Sequence, residues 1–96
     1  MGASTFYTVQ SGKNANEAFN SAIASAQYDF GHSGYTGSIA EKDSFVKIEV
    51  PNGIDPYVFA DKLIDDCDER IDDKWGPAGC IQLEDELFYF FGWASS

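Results

Sequence analysis

Positive charge is scarce in this chain. Six lysines and arginines stand against sixteen aspartates and glutamates in 96 residues, a formal net charge of −10 with a pI near 4.1. Such a surface repels phosphodiester backbones and anionic lipid headgroups. It lacks the clustered Lys and Arg that direct nucleic-acid binding over a broad face requires. Two readings of the charge remain. One is solubility; the other is a surface that attracts a basic partner, including a protein whose own role is to hold nucleic acid.

Cysteine is as sparse. Cys67 and Cys80 are too few for a disulfide scaffold, and with one histidine, His32, and no CxxC pair there is no zinc-ligand spacing. Two free thiols in a reducing compartment are the expectation. No basic segment followed by an apolar run opens the sequence, and no apolar run reaches membrane-spanning length. The expected location is the cytoplasm, with no metal, cofactor or membrane partner.

Hydrophobic residues make up 44% of the chain and aromatics 16%, enough for one folded domain over residues 1–96. A domain this small buries only about 60–65% of its unfolded surface, so it needs a dense core, a second subunit, or both.

The succession of elements reads β-α-β-β-α-β-β. Thr5 to Val9 is a β-branched and aromatic strand. Asn14 caps a helix with Glu17 in the capping-box position, and Ala18, Phe19, Ala22, Ile23, Ala26 and Phe30 share its apolar face up to Gly31. Gly37–Glu41 and Ser44–Val50 read as strands around a turn at Lys42-Asp43, the second alternating with a period of two. After the turn Pro51-Asn52-Gly53, Asp55 and Pro56 start a second helix. Ala60, Ile64, Cys67, Ile71 and Trp75 follow helical spacing toward the core, up to the stop at Gly76-Pro77. Gly79–Leu83 and Leu87–Trp93 close the chain as a hairpin around Glu84-Asp85-Glu86. The predicted fold is α+β: a ferredoxin-like or split-βαβ arrangement with an extra C-terminal strand, two helices on one face of a mainly antiparallel sheet. Because the last strand is apolar on both sides, that arrangement leaves Tyr89, Phe91 and Trp93 open for self-association.

Three features carry candidate chemistry. Asp61, Asp65, Asp68 and Asp72 repeat at helical spacing, and about half of the carboxylates fall between Asp55 and Asp73. The glycine and terminal glutamate of a calcium loop are missing, so the stripe is either a solvated face or a binding surface that mimics phosphate charge. The loop 31–42, with three glycines in its first seven residues, offers backbone N–H groups and His32, Tyr35, Thr36, Glu41 and Lys42 to an anionic ligand. It lacks the dinucleotide fingerprint, and Gly12-Lys13 lacks the flanking residues of a P-loop. Nucleophilic catalysis would require His32 to meet Cys67 or Cys80, and no spacing supports that.

Tyr28–Lys42 (YDFGHSGYTGSIAEK), Lys74–Cys80 (KWGPAGC) and Phe90–Ser96 (FFGWASS) resemble a group of small proteins encoded by tailed phages and other prokaryotic mobile elements. The resemblance transfers no catalytic residue. It implies a context in which small proteins antagonise host defences by blocking a protein or sequestering a signal molecule. The leading expectation is a non-enzymatic, anti-CRISPR-like inhibitor that binds a basic host defence protein through the acidic helix. The alternatives are an oligomeric module that sequesters a nucleotide signal in the glycine loop, and a small enzyme on a nucleotide or nucleic acid using His32 with Glu41 or Lys42.

Overall fold

A computed structural model describes residues 3–30 and 38–95. They form one α+β unit: β1 (Ala3–Ser11), α1 (Ala15–Phe30), a 3-10 turn (Ile39–Glu41), β2 (Phe45–Lys47), α2 (Pro56–Asp65), β3 (Ala78–Glu84) and β4 (Leu87–Ser95). The α+β class is as expected, and both helix starts follow their capping residues. The Asn14 carboxamide oxygen accepts from the Glu17 N–H at 2.9 Å. Asp55 accepts from the N–H groups of Tyr57 and Val58, with Pro56 in the first turn. No helix among the described residues is long and apolar enough to cross a membrane.

The sheet order is β1-β4-β3-β2. β4 is antiparallel to β1 and to β3, while β2 and β3 are parallel, so the sheet is mainly antiparallel. This is not the strand order of the split-βαβ arrangement, and the helices do not share a face. Phe88, Phe90 and Ala94 pack with the α1 residues Ala18, Phe19, Ala22 and Ala26. Tyr89 and Phe91 pack with Ala60, Leu63 and Ile64 of α2. Successive residues of a strand point to opposite faces, so the sheet lies between the two helices.

Chain handedness supplies the reason. β1, β2 and β3 all run the same way, and crossovers between parallel strands are right-handed. The connection through α1 crosses the sheet from β1 to β2, and the one through α2 steps back from β2 to β3. Opposite directions of travel place the two helices on opposite faces. This also accounts for the composition of β4, a strand buried on both faces that reads as a continuous apolar run. The aromatic face expected to be open for self-association is covered: Tyr89 and Phe91 lie beneath α2, and Trp93 packs against the same cluster.

Two local expectations also differ. Residues 39–41 form a 3-10 turn instead of a strand, capped by the Ser38 hydroxyl, which accepts from Ala40 N–H at 3.2 Å. Its N-cap Ser38 is buried, and so are Ile39 and Lys42, which stand three apart, the period of a 3-10 turn and not of a strand. The second helix ends at Asp65, ten residues before Trp75. Asp68 N–H donates to the Leu63 carbonyl at 3.0 Å and Cys67 N–H to that of Ile64 at 3.1 Å, the paired bonds of a Schellman stop. Cys67 therefore sits at φ 54°, exposed rather than in the core. A left-handed non-glycine residue carries strain of about 1–2 kcal/mol. Cys67→Gly is expected to stabilise by about 0.5–1 kcal/mol, after allowance for the extra freedom of glycine in the unfolded chain. Cys67→Val is expected to cost about 1 kcal/mol, since branching at Cβ is least tolerated there. Thermal denaturation of the two variants checks this; equal stability would show that the stop is not strained.

Candidate functional site: tyrosines and carboxylates on the α2 face

α2 turns its buried side, Ala60, Leu63 and Ile64, toward the sheet. Tyr57, Asp61 and Asp65 stand four residues apart and form a second, solvent-facing stripe. β1 brings Tyr7 alongside. In the β1–β4 register Tyr7 is opposite Phe91 and Val9 is opposite Tyr89, so Tyr7 and Tyr89 are diagonal neighbours on one face.

The rings form a cluster. Tyr57 meets Tyr89 edge to face at 4.8 Å, Tyr7 lies near-parallel to Tyr89 at 6.2 Å, and Tyr89 to Phe91 at 5.7 Å. Tyr89 is only 6% exposed, whereas Tyr7 and Tyr57 are each 44% exposed. Burial pushes the Tyr89 hydroxyl up to about 12, aided by the Asp61 carboxylate and the neighbouring Tyr7 and Tyr57. Tyr7 is raised as well, first by burial and then by Asp61, with a smaller push from Asp65. The tyrosine hydroxyls and two carboxylates thus share one neighbourhood of negative potential. Its exposed part has aromatic faces and acidic oxygens side by side, the combination that takes a guanidinium or ammonium group.

The four aspartates of the acidic stripe are not one helical face. Asp61 and Asp65 are on α2, while Asp68 and Asp72 lie beyond its end. Asp68 is engaged: Arg70 donates to its two carboxylate oxygens from Nε at 2.9 Å and Nη2 at 3.0 Å. That contact, an ion pair, holds the Asp68 carboxyl below its ordinary range. Asp72 is exposed in the turn that follows.

The loop residues are also divided. His32, Tyr35 and Thr36 lie outside the described residues. Glu41 ends the 3-10 turn and is partly buried. Lys42 is 2% exposed, and its Nζ donates to the carbonyls of Asp73 at 3.3 Å, Lys74 at 3.2 Å and Gly76 at 2.9 Å. An ammonium group has three protons to donate, so Lys42 is a structural clamp and has none left for a ligand. Burial lowers its pKa, opposed by the nearby Asp73 carboxylate. Cys80 is buried beneath α1, its thiol pushed up to about 11 mainly by burial, which is the environment of an inert thiol. No group of His, Cys, Asp and Glu among the described residues could hold a metal ion.

Tyr7 and Tyr57 are the site residues that the acidic pattern alone does not disclose. Tyr57 had a signal, since it precedes Asp61 and Asp65 by one and two helical repeats. Tyr7 needed the strand register. The architecture defines a small α+β domain, a four-stranded mixed sheet between two helices with an acidic aromatic face. No protein-family model matches the chain, and no curated protein or solved structure matches it.

Proposed function

We propose that this chain is a non-enzymatic binding protein that docks its α2 face onto a basic surface of another protein. The observation that carries the reading is the stripe Tyr57–Asp61–Asp65 beside Tyr7, where exposed aromatic rings and carboxylates lie together. Arginine-rich surfaces suit such a face, because guanidinium groups stack on aromatic rings and bond carboxylates at once. With the resemblance to proteins of phages and mobile elements, the partner is a host defence component. RNA-guided interference complexes fit it best, since their nucleic-acid channels are lined with Lys and Arg. Occupying such a channel blocks the defence without chemistry. This is an anti-CRISPR-like role in the host cytoplasm.

Asp61→Lys/Asp65→Lys changes the face by four charge units with the core untouched. In a plasmid-interference assay the native chain is expected to restore transformation of cells carrying an active interference system. The double variant is expected to lose at least about tenfold of that effect, as removal of two charged contacts implies, while melting within a few degrees of the native chain. Undiminished inhibition by the variant would reduce the acidic face to solvated surface.

A further inference from the structure

β1 is one edge of the sheet, and no other strand among the described residues pairs with its outer side. It is nine residues long, with no charged residue, no proline and no break in its register with β4. Charges, prolines and bulges are the devices that keep edge strands from pairing with other chains. The opposite edge has such protection: β2 is three residues long and ends on Lys47.

Ladder parity identifies the open groups. Gly12 N–H donates to the Glu86 carbonyl at 3.1 Å, extending the register in which Ser11 opposes Leu87. In an antiparallel pair alternate residues turn N–H and C=O toward the neighbour. Phe6, Thr8 and Gln10 therefore bond to β4, while Thr5, Tyr7 and Val9 direct their backbone groups outward. The side chains of Tyr7 and Val9 are also exposed, each at 44%.

We infer that β1 is a self-association edge, pairing antiparallel with β1 of a second copy about a twofold axis at Tyr7 to form a continuous eight-stranded sheet. A second copy is the occupant for two reasons. The outward positions are symmetric about Tyr7: Thr5 of one copy opposes Val9 of the other, and each open N–H meets an open C=O. In addition, β1 is uncharged in a chain of net charge −10, so two copies meet here with no like charges in the ladder, whereas a basic partner is drawn to the carboxylates. An isologous C2 contact of this kind closes on itself and stops at the dimer.

Sedimentation equilibrium and amide hydrogen exchange test this together. The mass is expected to rise with concentration from 10.6 kDa toward twice that value. The amides of Thr5, Tyr7 and Val9 gain protection in step, while those of Phe6 and Thr8 are protected throughout. Val9→Pro removes one outward N–H and leaves the β4 ladder whole; it is expected to weaken the dimer by more than about tenfold while keeping the native circular dichroism. Should that variant fail to fold, Thr5→Lys/Val9→Lys places lysine opposite lysine and is expected to have the same effect. A monomer at several hundred micromolar, a dimer indifferent to the foldable variants, or a dimer whose Thr5, Tyr7 and Val9 amides stay unprotected would each overturn the inference.

Discussion

Lys42→Met is expected to lower the melting temperature by about 10–20 °C. The ammonium of Lys42 is buried and bonds three backbone carbonyls, those of Asp73, Lys74 and Gly76. A methionine of similar length fills the space but leaves these acceptors facing an apolar group. Each buried unsatisfied polar group costs about 1–3 kcal/mol. Water can reach part of the 73–76 loop, whose residues are exposed or half-buried, so the net cost is about 2–4 kcal/mol. In a domain of this length 1 kcal/mol shifts the midpoint by about 4–8 °C. The loop should loosen first, and limited proteolysis is expected to cut the variant near residues 73–76 before the sheet opens. A variant that melts within a few degrees of the native chain, with the loop still resistant, would show that the clamp is dispensable.

Gly79→Ala is expected to be comparably damaging for a different reason. Gly79 lies directly opposite Phe91 across the β3–β4 ladder, and the Phe91 ring covers it. A Cβ built at Gly79 would stand 2.6 Å from the ring's Cζ. Phe91 is fully buried between the sheet and α2, so the ring has no room to retreat. Overpacking of this kind costs about 1–3 kcal/mol. Combining Gly79→Ala with Phe91→Leu should recover part of the loss, because the two changes share one contact and do not add. Thermal denaturation of the two single variants and the double variant measures that coupling. A double variant as unstable as the sum of the singles would show that the ring is not what excludes a side chain at Gly79.

These two positions mark the boundary of what the sequence disclosed. Helix starts were legible because their causes are local: Asn14 and Asp55 accept from N–H groups two or three residues ahead. The apolar face of α1 followed from spacing alone, and four of its predicted residues, Ala18, Phe19, Ala22 and Ala26, are buried. The end of α2 was not legible. The apolar spacing continues from Ile64 through Cys67 and Ile71 to Trp75, yet Ile71 reaches the core from the turn after the helix and Trp75 is 62% exposed. The strand order and the two-sided placement of the helices depend on which strands pair, a long-range choice that periodicity does not encode. The same holds for the site. Asp61 and Asp65 could be read from helical spacing, but the third and fourth aspartates required the Schellman stop. Tyr7 joined the site only when β1 was placed beside β4. The burial of Lys42 is not legible locally, because its three carbonyl partners lie more than thirty residues away.

The central claim is that the acidic aromatic face of α2 seats a basic protein surface. Its most direct measurement is the affinity of the purified chain for a purified RNA-guided interference complex, followed across a salt series. Binding is expected to weaken steeply as salt rises, to fall at least about tenfold for Asp61→Lys/Asp65→Lys, and to be lost when nucleic acid already fills the channel. Binding that ignores salt, charge reversal and channel occupancy, or the absence of binding to such complexes, would contradict the account.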